Sequence, residues 1–130
     1  MNQYYDTGPS GIPGNSDAGA LDSWLVWNIL GLYPIVTQPV YLILAPWFDN
    51  VTMSVGSDGQ TLTITAEGLD EAGGSVYVQS LKVNGQSWNQ SWVSHEQLVV
   101  GRATLEFVLG PQHTRWDTGA MPPSPGNVEL

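Results

Sequence analysis

The pattern of apolar and polar positions divides the chain into an irregular start, one helix, a run of short strands and an irregular end. Residues 1–16, MNQYYDTGPSGIPGNS, are dominated by Gly, Pro, Asn and Ser, and read as loop. Residues 17–31, DAGALDSWLVWNILG, predict a helix. Ser16 or Asp17 can offer a capping oxygen to its free first-turn amides. Gly31 ends it, and Pro34 forbids its continuation. Leu21, Trp24, Leu25 and Asn28 share one face, and Val26, Trp27, Ile29 and Leu30 cover most of the rest. A helix that is apolar nearly all round is a buried helix. One helix in so short a chain has nothing to bury both of its sides, so the pattern implies a missing partner.

Beyond Pro34 the period changes to two. Val40–Leu44 is a short apolar run, and Val51, Met53 and Val55 alternate with polar neighbours. Ser57-Asp58-Gly59 is a turn signal, and Leu62, Ile64 and Ala66 alternate with threonines beyond it. Val76 and Val78 are out of phase with Leu81 and Val83, so a bulge near Gln79 or Ser80 is needed to keep one buried face. Asn84-Gly85 predicts a type I′ hairpin into a strand over 87–93. Leu105, Phe107 and Leu109 mark a last strand. The fold class expected is α+β: one buried N-terminal helix followed by a small antiparallel β-sandwich or sheet. The units are 1–34, loop plus helix; 35–110, the β module; and 111–130, a Pro-rich tail.

Composition removes several classes of function. Of 130 residues only three are Lys or Arg, and the net charge is −9, so the counterion exchange that drives nucleic-acid binding has almost no donors here. An anionic membrane surface is disfavoured for the same reason. No apolar run is long enough to span a bilayer, and no signal-peptide pattern opens the chain; a secretion signal for a parent protein is expected upstream. There is no cysteine, hence neither disulfide nor thiolate nucleophile. Charged residues make up only 12%, about half the usual ~25%, which fits a surface partly covered by something else.

The focal motif is Gly11-Ile12-Pro13-Gly14-Asn15-Ser16-Asp17-Ala18-Gly19. It is a Gly- and Pro-shaped bend that delivers Asn15 and Asp17 to the mouth of a helix. The helix dipole favours an ionised carboxylate there, and such a group can take a proton from water. Asp is also a preferred N-cap, and the residues alone leave both roles open for Asp17.

The stretch GIPGNSDAGALDSWLVWNILGLYPI closely resembles the signature of glycoside hydrolase family 92. The match is carried by Gly14, Asn15, Asp17, Gly19, Ser23-Trp24 and Leu30-Gly31-Leu32-Tyr33-Pro34. Ala45-Pro46-Trp47-Phe48, Tyr77-Val78-Gln79-Ser80, Val83-Asn84-Gly85, Ser94-His95-Glu96 and Phe107-Val108-Leu109-Gly110-Pro111 follow in the order of that family's C-terminal segment. The resemblance covers roughly residues 8–118. It implies part of a Ca²⁺-dependent, inverting exo-α-mannosidase built from a β-sandwich and an (α/α)₆ barrel, with the helix here as the barrel's last. Its implied substrates are mannose-containing oligosaccharides or glycoproteins, α-1,2 linkages foremost, and its setting is secreted.

On the same resemblance Asp17 matches the general base and Asn15 the position that supports it. Ser16 departs from the acidic residue often found between them. The family's general acid and most of its substrate and metal ligands lie upstream, so the isolated chain is expected to be inactive and to need the N-terminal part of the same enzyme. Glu67, Glu71, Glu96 and Glu106 fall in the β module and are not substitutes. Ca²⁺ takes 6–8 oxygen ligands, more than Asn15 and Asp17 offer, so tight binding to this segment alone is not expected.

The alternative reading is a non-catalytic carbohydrate-binding or interaction module. Trp88 and Trp92, four residues apart, would share a face of a regular strand, as a sugar-stacking platform or as core. His95-Glu96 lacks the second His of a zinc-protease motif, since position 99 is Val, and His113 is a lone loop histidine. Asn50-Val51-Thr52 and Asn89-Gln90-Ser91 are N-glycosylation sequons.

Overall fold

The computed structural model describes residues 4–124; positions 1–3 of the expected loop and 125–130 of the expected tail lie outside the described residues. Ten elements follow in order: α1 (Ala20–Ile29), β1 (Leu32–Pro34), β2 (Val40–Ile43), β3 (Asn50–Val55), β4 (Gln60–Glu67), β5 (Tyr77–Val83), β6 (Gln86–Trp88), β7 (Trp92–Ser94), α2 (His95–Val99) and β8 (Arg102–Gly110). The strands form a three-stranded sheet of order β1-β2-β7 and a five-stranded sheet of order β3-β4-β8-β5-β6. The class is α+β, as the pattern predicts.

The core lies between the two sheets. Leu62, Ile64 and Ala66 of β4, Leu105, Phe107 and Leu109 of β8, and Leu81 and Val83 of β5 point inward from the larger sheet. Leu32, Ile43 and Val93 answer from the smaller one, and Leu98 of α2 joins the same cluster. Phe107 and Leu105 are 1% and 0% exposed, because β8 is the middle strand and both of its neighbours shield it. Burying each such side chain stabilises by about 1.5–3 kcal/mol. Apart from Glu67, the outward positions of β4 and β3 are Thr, Ser and Asn, in keeping with a surface so poor in charge.

Two local expectations are met. The β5–β8 register shifts between Val78 and Ser80, so the bulge sits where the phase change demands it. Asn84 and Gly85 have φ of 51° and 76°, the paired positive angles of a type I′ turn, and Val83 pairs with Gln86 across it. The Asn84 side chain also ties that turn down: its amide donates to the Gln97 carbonyl at 3.0 Å, and its oxygen accepts from the Thr104 N–H at 2.9 Å.

Other expectations need correction. The sheet is mixed rather than wholly antiparallel, because β4 and β8 pair in parallel from Thr61↔Arg102 to Glu67↔Val108. Local hairpins could not reveal this, since 34 residues separate the two strands and β8 slots between β4 and β5. The expected strand over 87–93 is two strands, β6 and β7, which belong to different sheets. Its break at Asn89-Gln90-Ser91 is where the chain crosses between layers. The α2 turn goes unread by periodicity, although Ser94-His95-Glu96-Gln97 forms a full capping box with Ser94 as N-cap.

The helix is shorter than 17–31, and none of its residues is buried. Trp24 is 41% and Val26 54% exposed. Among the described residues, the part of the Pro-rich segment from 111 to 124 has no helix or strand, but it is pinned to the sandwich. Gln79 donates to the Gln112 carbonyl, Thr114 to the Val78 carbonyl, and the Trp92 indole to the Ala120 carbonyl, while Trp116 packs on the core.

Candidate active site

The loop that precedes α1 is shaped by backbone contacts. Asp6 N–H donates to the Gly11 carbonyl, and Gly11 N–H donates to that of Gly8, both at 3.0 Å. Gly11 is buried, and any β-carbon there would collide with the Asp6 carbonyl, so this position accepts only glycine. The Tyr5 ring stacks on Trp24 at 6.4 Å and 21°, fixing the start of the loop against the helix.

The loop then enters α1 through a left-handed turn. Asp17, Ala18 and Gly19 have φ of 45°, 61° and 88°. Only the last is a glycine; Asp tolerates this region, but Ala pays a steric cost of about 1–2 kcal/mol there. Strain of this kind persists where the surrounding structure enforces it, and functional sites are where it gathers. The Ala18→Gly variant should therefore be more stable by about 0.5–1 kcal/mol, read as a rise in denaturation midpoint; a fall would show that the turn is not left-handed.

This turn decides between the two roles left open for Asp17. The N-cap position is Gly19, and no side chain caps it. Neither Ser16 nor Asp17 caps the helix, contrary to the simplest reading of the sequence. The Ser16 carbonyl accepts from Ala20 N–H at 2.7 Å, and the Ser16 hydroxyl donates to the Asp22 carboxylate at 3.0 Å. Asp22, in the first turn, supplies the negative charge that complements the helix dipole. Asp17 is left exposed, and its carboxylate makes no hydrogen bond or ion pair among the described residues. Asn15 is likewise exposed, and its side chain makes no hydrogen bond among the described residues. The structure thus presents Asp17 as a carboxylate without a partner among the described residues, on a left-handed bend.

Among the described residues no second free carboxylate is grouped with it. Asp22 is engaged by Ser16. Glu67 and Glu106 line a groove of about 510 Å³ on the outer face of the larger sheet, with Lys82 and Asp49. Glu71 borders a different groove, and Glu96 lies on α2. Among the described residues no three His, Asp or Glu side chains gather to hold a metal. Calcium needs 6–8 oxygens, and the Asn15 and Asp17 side chains supply two groups, so the residues present do not form a calcium shell by themselves.

The aromatic platform is not formed. Trp88 and Trp92 lie on strands of different sheets, and each indole N–H is committed to a carbonyl, Trp88 to Trp92 at 2.8 Å and Trp92 to Ala120 at 3.0 Å. Both histidines have structural settings. His95 Nδ1 bonds the Tyr41 hydroxyl at 2.8 Å, and burial pushes that phenol's pKa up. His113 meets the Tyr77 ring edge-on.

An apolar groove that the sequence patterns did not single out lies beside the exposed helix. Trp47 and Phe48, 38% and 54% exposed, rim a groove of about 490 Å³ floored by Ala45, Pro46, Leu69 and Val76. Trp47 N–H donates to the Ile29 carbonyl at 3.0 Å, which sets this rim beside the end of α1. Together with Trp24 and Val26 it presents large aromatic and aliphatic groups to solvent, a feature that marks contact surfaces.

Residues 1–111 match the family model of the glycosyl hydrolase family 92 catalytic domain. A secreted glycosidase of Arthroderma benhamiae is 36% identical over 127 residues, covering 96% of this chain and 16% of its own length. Among solved structures, a family 92 glycosyl hydrolase, ccman5, superposes with a TM-score of 0.85 at 30% identity, over 96% of this chain and 16% of that one. A family 92 α-mannosidase of Bacteroides thetaiotaomicron in complex with mannoimidazole gives 0.79 at 26%, over 88% and 15%. The chain therefore spans about one sixth of the length of these relatives.

Proposed function

This chain belongs to glycosyl hydrolase family 92, and on that premise we propose that it forms the C-terminal part of an inverting exo-α-mannosidase and contributes the general base, Asp17. The observation that carries the assignment is the exposed, unpartnered Asp17 carboxylate on a strained left-handed bend. A carboxylate spent on capping or on an ion pair would be a poor base; this one is free. In the proposed step it takes a proton from a water lying under a mannose ring. The water oxygen then attacks the anomeric carbon from the face opposite the leaving sugar. A carboxylic acid outside this chain protonates the departing oxygen, at a separation from the base of roughly 6.5–9.5 Å that leaves room for the water. Asn15 supports the base by hydrogen bonding once substrate and water are in place.

Calcium belongs to the complete enzyme in this reading. It would organise sugar hydroxyls, with ligands from outside this chain. The substrate is a mannose-containing glycan, α-1,2 linkages foremost, and the complete protein is a secreted one. Residues 1–34 would form the last helical portion of the catalytic barrel, and 35–110 a β module packed on it.

Proton NMR of the complete protein acting on an α-mannoside tests this. The β-anomer of mannose should appear first, release should stop on chelation of calcium, and the 130-residue chain alone should release none. Primary formation of the α-anomer would overturn inversion, and turnover by the isolated chain would overturn its dependence on an outside acid.

A further inference from the structure

We infer that Asn50 is an N-glycan acceptor and that the second sequon, at Asn89, is not used. The inference rests on the secreted reading above and adds a modification site and an orientation of the β module to it. Asn50 opens β3, an edge strand of the five-stranded sheet. Along β3 the odd residues Val51, Met53 and Val55 turn inward, while Asn50, Thr52 and Ser54 are exposed. Residues i and i+2 of a strand project on one face, so the Asn50 amide and the Thr52 hydroxyl stand side by side in solvent. Among the described residues the Asn50 side chain makes no hydrogen bond, and the Thr52 hydroxyl bonds only that of Thr63, at 3.2 Å.

The strand itself supplies a reason for a glycan. An unprotected edge invites pairing with other chains, and proteins blunt edges with Lys, Pro or bulges. β3, NVTMSV, has none of these. Its register against β4 runs unbroken over six residue pairs, from Asn50↔Thr65 to Val55↔Gln60. A hydrophilic oligosaccharide at its first residue would screen that edge. The opposite edge strand, β6, has three residues and offers little to pair with.

Asn89 is exposed as well, but it is placed differently, against the C-terminal segment. Its carbonyl accepts from Gly119 N–H at 2.7 Å, and a β-carbon on Gly119 would lie only 2.7 Å from the Asn89 side-chain oxygen. The Trp92–Ala120 hydrogen bond holds the C-terminal segment down at the same point. A glycan at Asn89 would keep that segment from docking.

In the modification step, Asn50 Nδ2 bonds to the anomeric carbon of a lipid-diphosphate-linked oligosaccharide. The bond from that carbon to the diphosphate oxygen breaks, the lipid diphosphate leaves with the electron pair, and the amide gives up one proton. Occupancy requires the outer face of β3 to remain in solvent in the complete protein.

The complete protein, expressed in a eukaryotic host behind a supplied secretion signal, should be digested and mapped by mass spectrometry, with and without enzymatic deglycosylation. The supplied signal makes the result independent of the native localisation. The Asn50 peptide should be glycosylated in most molecules and the Asn89 peptide unmodified. Asn50→Gln and Thr52→Ala should each remove one glycan's mobility shift, and Thr52→Ser should keep it. Deglycosylated or Asn50→Gln protein should form more aggregate at equal concentration. An unmodified Asn50 peptide in secreted protein overturns the proposal, as does a fully occupied Asn89.

Discussion

Asp17→Asn in the complete enzyme should lower kcat by roughly 10²–10⁴-fold, the usual worth of a positioned general base, with little change in KM. The substitution is chosen for its shape. Asn keeps the volume of Asp and also tolerates a positive φ, so the backbone at φ 45° is not further strained. The Asp17 side chain makes no hydrogen bond or ion pair among the described residues, so no structural contact is lost. The denaturation midpoint should therefore stay where it is while turnover collapses. An amide can neither take the proton from water nor carry the negative charge, and those are the properties removed. Asp17→Ala is a poorer first test, because it would add a second left-handed Ala beside Ala18. It has a separate use: added formate should restore part of its turnover by serving as an external base. Near-normal kcat in Asp17→Asn would end the assignment and return Asp17 to a loop residue.

Much of the β module was legible because its signals are local. The bulge at Gln79 follows from a phase change between Val78 and Leu81, and the Asn84-Gly85 turn follows from the angles those residues permit. The parallel pairing of β4 with β8 was not legible, because it joins segments that no short pattern connects. The 87–93 stretch reads as one strand since Ser87, Gln90 and Ser91 are neither turn-forming glycines nor prolines. Its division depends on the smaller sheet drawing Trp92–Ser94 to β2, a tertiary demand.

The apolar helix shows a different relation between sequence and structure. Its all-round apolar pattern predicts burial, yet Trp24 and Val26 stand open. Both facts agree once the chain's share of its relatives, about one sixth, is considered. The sequence encodes contacts that this stretch of polypeptide cannot make alone. The candidate site was legible as a motif, and its geometry was not. Asp17 was readable as an acid near a helix start, but only the left-handed run through Ala18 and Gly19 frees it from capping.

The largest expected stability effect lies at the far end of the same helix. Gly31 has φ of 76°, and a β-carbon there would stand 2.9 Å from both the Leu44 carbonyl oxygen and the Pro46 nitrogen. Those are backbone atoms with no rotamer to move aside. Gly31→Ala combines the left-handed penalty of about 1–2 kcal/mol with an overpacking cost of about 1–3 kcal/mol. Gly59, in the β3–β4 turn, separates the two contributions: its φ is 70°, and nothing lies within 4 Å of a β-carbon there. Gly59→Ala should show the first penalty alone, so Gly31→Ala should be the worse by about 1–3 kcal/mol in chemical denaturation. Equal losses would mean that α1 and the β2–β3 loop are not in contact at this joint. The joint also fixes the far end of α1, whose start carries the bend with Asp17. Leu44 N–H donates to the Gly31 carbonyl at 2.8 Å and Trp47 N–H to that of Ile29, so pushing the loop away from the helix end tilts α1 and carries Asp17 with it. A displacement near 1 Å is enough to cost a positioned base much of its effect. Gly31→Ala should thus lower kcat even in molecules that remain folded, and Gly59→Ala should not.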